Sequence, residues 1–292
     1  MNTLSSAKIS LIIPTLNEEG NIQNLIRRID AALNPAGIGY ELIFIDDHST
    51  DRTQELITYA AQMYPIQLHT KNGTRGKGYS VVQGFQYVQH DIAGIIDADL
   101  QYPPEALPEM IQKIMDNQAD FIIGDRDERN LGFVRKFFSK GFKLFFGNIL
   151  HGFRGDIQSG LKVFRTQIIR EVVVNPSAWA WDLELTLGAR DFGWSIDWVN
   201  ILFGNRTAGQ STLNVFQAAR EIGMNALYMK FRSRAPRLIL PTPGQGMIGA
   251  GVVKNGQRFI THSTLSPEIS AMQTFTTSQR FFIGGILSAL VF

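Results

Sequence analysis

The stretch GIIDADLQYPPE, Gly94 to Glu105, joins an apolar run to a group of acids. The run is typical of a buried strand, and Asp97 and Asp99 follow it at once, with Gln101 just beyond. Two carboxylates this close repel each other, so we expect a positive group between them. The stretch therefore predicts a strand whose end binds a cation.

Apolar runs of the same kind recur along the first half of the chain, and helical patterns lie between them. Continuous apolar strands that alternate with helices are typical of a parallel sheet covered on both faces, which places the chain in the α/β class. The five runs are ISLII (9–13), ELIFID (41–46), IQLHT (66–70), IAGIID (92–97) and DFIIGD (120–125). The two clearest helical patterns cover residues 18–33 and 50–64.

Acidic residues close or follow several of these strands. In sheets of this class, ligands bind at the carboxyl ends of the strands. Any polar residue would cap a turn there, so a concentration of acids indicates a binding site. The acids concerned are Asp46, Asp47, Asp97, Asp99 and Asp125.

The composition narrows the class of protein. Of 292 residues, 44% are hydrophobic and 18% charged, which suits one large globular domain, alone or with an appendage. The chain has no cysteine, which excludes a disulfide or a zinc–thiolate site and fits the cytosol. The N-terminus lacks an apolar core long enough for a signal peptide. The formal net charge is only +2, and we expect no nucleic acid as a partner.

Beyond Arg126 the sequence changes character. Residues 131–150 carry Phe, Lys and Arg at helical spacing, which fits either a helix on anionic lipid or a core helix with a solvated basic face. Residues 213–234 form a long amphipathic pattern with the same two alternatives. Residues 235–279, rich in Pro, Gly, Ser and Thr, predict a linker. The apolar residues 280–292 are fewer than the roughly 20 that span a bilayer, and indicate an interfacial segment or a transmembrane helix that is cut short.

Three more elements are predicted between these segments: a turn and strand in DIQSGLKVFR (156–165), a helix around WDLELTLGARDFG (181–193) and a strand in SIDWVNILF (195–203). The predicted domains are a main domain over 1–212, an amphipathic juxtamembrane helix over 213–234, and a linker with the start of a membrane segment over 235–292.

The acids of the opening stretch suit a hard metal ion. Carboxylate and amide oxygens are the ligands that Mg²⁺ and Mn²⁺ prefer. Mg²⁺ uses one or two carboxylates and takes its other ligands from water and substrate phosphates. Asp99 and Gln101 are therefore predicted to hold Mg²⁺ or Mn²⁺ on a diphosphate. The simpler alternative is a capped turn before a helix that Pro103 and Pro104 initiate.

Three neighbouring loops add candidates for ligand binding. The doubled acid Asp46–Asp47 suits ribose hydroxyls or a base edge, whereas helix capping explains only the polar residues after it. Asn17 and Glu18 follow the first strand and face the same edge. Lys77 lies in the basic, glycine-rich loop NGTRGKGYSVVQG, where lysine and backbone amides meet phosphates, although the loop is neither a P-loop nor a dinucleotide fingerprint.

In their order and spacing, these motifs resemble glycosyltransferase family 2, and most of all its branch of dolichol-phosphate mannose synthases and bacterial polyprenyl-phosphate glycosyltransferases. The resemblance runs from about Ile9 to Leu213. It implies a GT-A fold: a Rossmann-like, mixed but mainly parallel sheet with helices on both faces, here with a membrane-associated C-terminal segment. It also implies inverting transfer of a hexose from a GDP-mannose or UDP-glucose type of donor to a dolichyl or undecaprenyl phosphate. The motifs are IPTLNEEGNI, FIDDHSTDRT, GKG, DADLQYPPE, GDRDERN and DIQSGLKVFR.

The resemblance assigns roles to the matching residues. The implied catalytic residues are Asp97, Asp99, Arg126, Arg135 and Arg206, of which Arg206 matches a mobile-loop arginine that closes on the diphosphate. The implied acceptor residues are Arg126, Arg135 and Ser139, and the metal ligands are Asp99 and Gln101. With the candidates above, the nucleotide-sugar set is Pro14, Leu16, Asn17, Glu18, Asp46, Asp47, Lys77 and Asp97. The chain departs from the family where Leu16 replaces Tyr, Leu161–Lys162 replaces Phe-Arg, and Ser211–Thr212 replaces Ser-Lys.

The implied reaction needs no strong base, because a polyprenyl phosphate is already anionic. The protein is expected at the cytoplasmic face of the membrane, peripheral or tethered by its C-terminal segment. Two alternatives stay open. One is a family 2 enzyme with a polysaccharide or diacylglycerol acceptor, whose hydroxyl needs a base such as Asp182 or Glu184. The other is a non-catalytic nucleotide-binding module that regulates a membrane partner.

Overall fold

A seven-stranded sheet forms the centre of the described part of the chain. The computed structural model describes residues 6–127, 155–174 and 181–204, and the backbone of 237–239, 251–254 and 257–260. The strands are β1 (Lys8–Thr15), β2 (Gly39–Asp46), β3 (Ile66–Thr70), β4 (Ile92–Ile95), β5 (Phe121–Asp127), β6 (Lys162–Arg165) and β7 (Ile196–Leu202). The helices are α1 (Ile22–Leu33), α2 (Thr53–Ala60), α3 (Lys77–Gly84), α4 (Leu107–Met115), α5 (Gln167–Glu171) and α6 (Trp181–Asp191). Short 3-10 turns cover Phe85–Tyr87 and Pro104–Ala106.

The strand order is β3-β2-β1-β4-β6-β5-β7. The pairs β1–β2, β1–β4, β2–β3 and β5–β7 are parallel, and β6 runs antiparallel between β4 and β5. Because β4 and β5 both run against β6, they point the same way and end at the same edge. The predicted mixed, mainly parallel sheet is confirmed, and all five apolar runs are strands of it.

Helices cover both faces of the sheet, as predicted. Strand residues such as Leu11 and Phe44 pack against α1, α2 and α4, whereas Ile12 and Ile95 on the opposite face pack against α3, α5 and α6. Helix α1 illustrates why, since its buried residues Ile22, Leu25, Ile26, Ile29 and Leu33 recur at the spacing of one helical face. Strands buried on both faces have to be continuously apolar, which explains the sequence pattern.

The chain divides into two compact units, Met1–Ala235 and Pro236–Phe292. In the second unit, three short strands form an antiparallel sheet, β8 (Arg237–Ile239), β9 (Gly251–Lys254) and β10 (Gln257–Ile260), in the order β10-β9-β8. The sequence predicted a linker here, and these strands are a difference from it.

The segments predicted to meet a membrane, 131–150, 213–234 and 280–292, lie outside the described residues. Among the helices that are described, none is long and apolar enough to cross a membrane.

Candidate functional site

The candidate site lies at one edge of the sheet, where parallel strands end and β6 begins. Thr15 at the end of β1 pairs with Asp46 at the end of β2, and Ile95 at the end of β4 pairs with Lys162 at the start of β6. Strand β5 ends at this edge as well. The topology therefore brings together the acids predicted at the strand ends and Lys162, to which the sequence assigned no role at the site.

The loops after β1 and β2 are tied to each other at this edge. Asn17 has a positive φ of 55°, and its Oδ1 accepts a hydrogen bond from the backbone N–H of Thr50 at 2.8 Å. Its own N–H donates to Oγ of Ser49 at 2.9 Å, and the N–H of Glu18 donates to Oγ1 of Thr53 at 2.8 Å. Leu16 lies exposed beside them. Asn17 and Glu18 are thus held at the predicted edge.

Asp46 is fully buried, and its carboxylate is engaged within the protein. It accepts hydrogen bonds from the N–H and Oγ of Ser49, at 2.9 and 2.5 Å, and from Nε2 of Gln54 at 2.6 Å. The carboxylate therefore shapes the loop that leads into α2. A role for Asp46 on a nucleoside stays a prediction, and direct contact would require Ser49 or Gln54 to give way.

Asp47 closes the glycine-rich loop. Its Oδ1 lies 2.6 Å from Nζ of Lys71, and both side chains are almost completely buried. Its Oδ2 accepts the N–H of Gly76 at 2.7 Å, and Lys71 also donates to the carbonyl of Gly76 at 3.2 Å. Gly76 has a φ of 131°, a conformation that favours glycine. Asp47 thereby fixes the residue that precedes Lys77.

Lys77 supplies the cation next to Asp97. It is the first residue of α3, and its Nζ lies 2.7 and 2.8 Å from the two carboxylate oxygens of Asp97. The pair is partly open, with 33% of the Lys77 side chain and 20% of the Asp97 side chain exposed. Burial lowers the pKa of Lys77, but the negative charges of Asp97 and Asp182 raise it by more than burial lowers it. The pKa of Lys77 therefore lies above its ordinary value. The positive group that the sequence predicted beside Asp97 and Asp99 is thus, for Asp97, the ammonium of Lys77.

Gly160 passes directly against Asp97. A Cβ at this position would overlap Oδ2 of Asp97 and lie 2.7 Å from its Cγ and 2.8 Å from the Tyr102 ring. A side chain of any size would therefore displace the carboxylate, which explains glycine at this position.

Asp99 and Gln101 lie on a tight turn beyond β4. Asp99 is 6% exposed, and its Oδ1 accepts the N–H of Gln101 at 3.1 Å. Leu100, between them, has a positive φ of 61°. The Gln101 side chain donates to the carbonyl of Gly204 at 3.2 Å, and the N–H of Gly204 donates back to the Gln101 carbonyl at 2.9 Å. Residues 203–204 after β7 are thereby held beside the acids.

The two predicted metal ligands, Asp99 and Gln101, lie together on this turn. No group of three or more His, Cys, Asp or Glu side chains able to hold a metal occurs among the residues that the structure describes. Asp99 supplies one of the one or two carboxylates that Mg²⁺ typically uses, and its other ligands come from water and phosphate. Gln101 uses its Nε2 on the carbonyl of Gly204, so its amide oxygen is the part that suits a metal. The residues present fit a metal ion that is bound together with a diphosphate.

Arg126 lies near the end of β5 and is anchored there. Its Nε pairs with Oδ2 of Asp156, which is 1% exposed, and its guanidinium carbon lies 5.3 Å from the centre of the Phe203 ring. Asp156 is held in turn, because its N–H donates to Oδ1 of Asp125 at 3.2 Å. Asp156 opens the motif DIQSGLKVFR, but nothing in the sequence indicated that it would hold Arg126.

Tyr102 contacts the same Phe203 ring that lies beside Arg126. Tyr102 is buried and packs edge-on against Phe203, with ring centres 5.1 Å apart. Burial raises the pKa of Tyr102 to about 12, so its hydroxyl stays protonated at neutral pH.

A second buried ion pair lies behind the edge. Lys162 is fully buried, its Nζ is 2.6 Å from Oδ1 of Asp182, and it also donates to the carbonyl of Ser159. Its ammonium lies 5.4 Å from the centre of the Trp181 ring, and that of Lys77 lies 5.9 Å from the same centre. Burial lowers the pKa of Lys162 and raises that of Asp182. Asp182, a candidate base for a hydroxyl acceptor, is thus bound to a lysine.

The structure gathers most of the predicted site residues at this edge. These are Pro14, Leu16, Asn17, Glu18, Asp46, Asp47, Lys77, Asp97, Asp99, Gln101 and Arg126. Arg135, Ser139 and Arg206 lie outside the described residues, and their roles stay predictions. The sequence missed Lys71, Asp156, Gly160 and Lys162 as residues that hold the others in place.

The mixed, mainly parallel sheet with helices on both faces is the GT-A fold, the fold of a large class of glycosyltransferases. Glucosyl-3-phosphoglycerate synthase from Mycobacterium tuberculosis, crystallised with Mn²⁺, UDP-glucose and phosphoglyceric acid, superposes with a TM-score of 0.64 at 17% identity, over 93% of each chain. The chain belongs to glycosyl transferase family 2, whose family model matches residues 10–173.

Two curated relatives are similar in sequence. Dolichol-phosphate mannosyltransferase of Pyrococcus furiosus is 34% identical over 226 residues, which cover 74% of this chain and 62% of the relative. Undecaprenyl-phosphate 4-deoxy-4-formamido-L-arabinose transferase of Salmonella paratyphi A is 33% identical over 164 residues, 56% of this chain and 50% of the relative. The chain therefore matches only about half to three fifths of the length of these relatives.

Proposed function

We propose that the protein transfers a hexose, with inversion, from a nucleoside diphosphate sugar to a polyprenyl phosphate at the cytoplasmic face of the membrane. The observation that supports the choice of acceptor is that Asp182, one of the two candidate bases for a hydroxyl, lies buried against Lys162, at 2.6 Å. A hydroxyl acceptor needs a base, whereas a lipid phosphate arrives as an anion and needs none. The names of both curated relatives contain a polyprenyl phosphate, dolichol phosphate in one and undecaprenyl phosphate in the other, which supports the same acceptor.

The donor binds along the acidic edge in this proposal. Asp99, with Gln101, holds Mg²⁺ or Mn²⁺, and the ion supplies positive charge to the leaving diphosphate. Lys77 lies at the start of α3, where its ammonium and the helix N-terminus both favour a phosphate. Lys77 therefore exchanges part of its contact with Asp97 for the diphosphate, which leaves Asp97 next to the sugar. The mycobacterial structure, which has the same fold, was crystallised with Mn²⁺ and UDP-glucose, and this supports a divalent metal bound together with a nucleotide sugar.

The acceptor approaches from the end of β5. Arg126 is fixed there by Asp156 and lies over the Phe203 ring, so its guanidinium is oriented before the acceptor arrives. A planar guanidinium suits the oxygens of a phosphate, and aiming the nucleophile removes much of the entropic barrier. By the resemblance, Arg135 and Ser139 extend this phosphate site and Arg206 closes on the donor. The Phe- and Lys-rich residues 131–150, which follow β5 directly, are proposed to lie on the membrane that carries the acceptor.

The direct test is transfer of radiolabelled sugar by the purified protein in Mn²⁺ or Mg²⁺. GDP-mannose and UDP-glucose are each offered with polyprenyl phosphate or with diacylglycerol, and Asp99→Asn is the inactive control. We expect label in polyprenyl phosphate only. Label in diacylglycerol instead would assign the alternative acceptor, and binding of a nucleotide sugar without any transfer would favour the non-catalytic module. A thermal-shift panel of the two donors identifies the nucleotide, since a ligand that binds the folded state raises its stability.

A further inference from the structure

Two ion pairs share one buried tryptophan behind the donor edge. The pair Lys77–Asp97 is partly open to solvent, whereas Lys162–Asp182 is almost completely buried. Both ammonium groups lie over the ring of Trp181, which is 1% exposed. Because both distances run to the same ring centre, the two lysine nitrogens are no more than about 11 Å apart.

With both pairs ionised, the four charges of this cluster sum to zero, and each pair affects the other. Burial weakens screening by water and salt, so charges at this separation still interact. Removing one member of a buried pair leaves its partner as an uncompensated charge. If Lys162 were neutral, the negative Asp182 would draw Lys77 inward and repel an incoming diphosphate. If Asp182 were neutral, the extra positive charge of Lys162 would favour the diphosphate.

We infer that Lys162 and Asp182 are positioning residues for the donor site, which keep the charge around Lys77 balanced and hold Trp181 beneath it. Neither residue touches the donor in this arrangement; both act through Lys77. The pair sets how readily Lys77 leaves Asp97 for a diphosphate, and so tunes donor affinity. This inference rests on the proposed donor site but is independent of the acceptor.

The test is the affinity of the purified protein for UDP and for GDP, measured calorimetrically at fixed MnCl₂ and 0.15 M salt. The variants are Lys162→Met, Asp182→Asn, the double variant and Lys162→Arg, each with its thermal midpoint recorded. One unit of charge within about 11 Å of the Lys77 ammonium is expected to change affinity about tenfold. Lys162→Met should weaken binding, Asp182→Asn should tighten it, and the double variant should return to within about threefold of wild type because the charges cancel again. Lys162→Arg keeps the charge and should bind as wild type does.

A merely structural role gives a different pattern. In that case both single variants weaken nucleotide binding in proportion to their loss of stability, and the double variant binds no better than the single variants. That result overturns the inference. If Lys162→Met does not fold, the change in nucleotide affinity of Asp182→Asn decides. Tighter binding supports the inference, and weaker binding contradicts it. A wild type that binds neither nucleotide overturns this inference together with the donor site. Binding without transfer to polyprenyl phosphate removes only the proposed acceptor.

Discussion

Replacing Gly160 by alanine tests the donor site with a single methyl group. The new Cβ would lie 2.7 Å from Cγ of Asp97. Carbon atoms pack at about 3.5–4.0 Å, so the carboxylate has to move by about 1 Å. The two carboxylate oxygens lie 2.7 and 2.8 Å from Nζ of Lys77, so a shift of this size breaks at least one of these contacts. In the proposed donor complex Asp97 lies next to the sugar, and a misplacement of about 1 Å at such a site costs about 100-fold in rate. We therefore expect a loss of about ten- to a hundredfold in kcat/KM.

The assay is sugar transfer to polyprenyl phosphate at several donor concentrations, with the thermal midpoint measured alongside. The matched control is Gly39→Ala, at the start of β2 and so at the opposite edge, where the new Cβ would meet the flexible Lys8 side chain at 3.1 Å. We expect Gly160→Ala to lose transfer while remaining folded, and Gly39→Ala to keep it. Wild-type kinetics in Gly160→Ala would refute the argument that the position of Asp97 matters.

Three further predictions concern the metal, the loop and the acceptor. Asp99→Asn should lower turnover by about 100-fold or more, because a metal site with few carboxylates loses one of them; a Mn²⁺ titration with unchanged activity would contradict the metal assignment. Lys71→Met should destabilise the fold by about 3–5 kcal/mol, because it leaves Asp47 buried without its cation; urea unfolding measures this, and an effect below about 1 kcal/mol, the size for an exposed pair, would refute it. Arg126→Ala should reduce transfer about ten- to a hundredfold with UDP or GDP affinity unchanged, because one charge-assisted phosphate contact is lost; equal losses in both would place Arg126 on the donor.

The sequence predicted the main sheet because its strands carry an unusually direct signal. Runs such as ELIFID are apolar on both faces, and the acids that end them mark the binding edge without any knowledge of pairing. Residues 237–260 carried no such signal, since strands β8 to β10 are three or four residues long and lie in a segment rich in glycine and proline. These three strands are defined by their pairing with one another, and such pairing cannot be predicted from the local sequence.

The supporting residues of the site were missed for a related reason. Lys71 contacts Asp47, Lys162 contacts Asp182, and Asp156 contacts Arg126, and each pair joins different elements. Such contacts depend on how strands are ordered, so a lone lysine or aspartate in the sequence gives no sign of them. Residues that contact ligands follow local motifs, whereas the residues that hold them follow topology.

The antiparallel insertion of β6 has a consequence for how proteins of this architecture diversify. Strand β5 ends at the site edge at Asp127, and β6 begins at that same edge at Lys162. Both ends of the intervening excursion, Asp127 and Lys162, therefore lie at the edge that carries the candidate site. Such an excursion can lengthen, shorten or change its chemistry while every strand keeps its neighbours. In the proposed function the donor residues lie at the ends of β1, β2 and β4 and at the start of α3, and among the described residues of the excursion only the last, with Gly160 against Asp97, reach them. Acceptor recognition can therefore change in the rest of the excursion while the donor site stays constant.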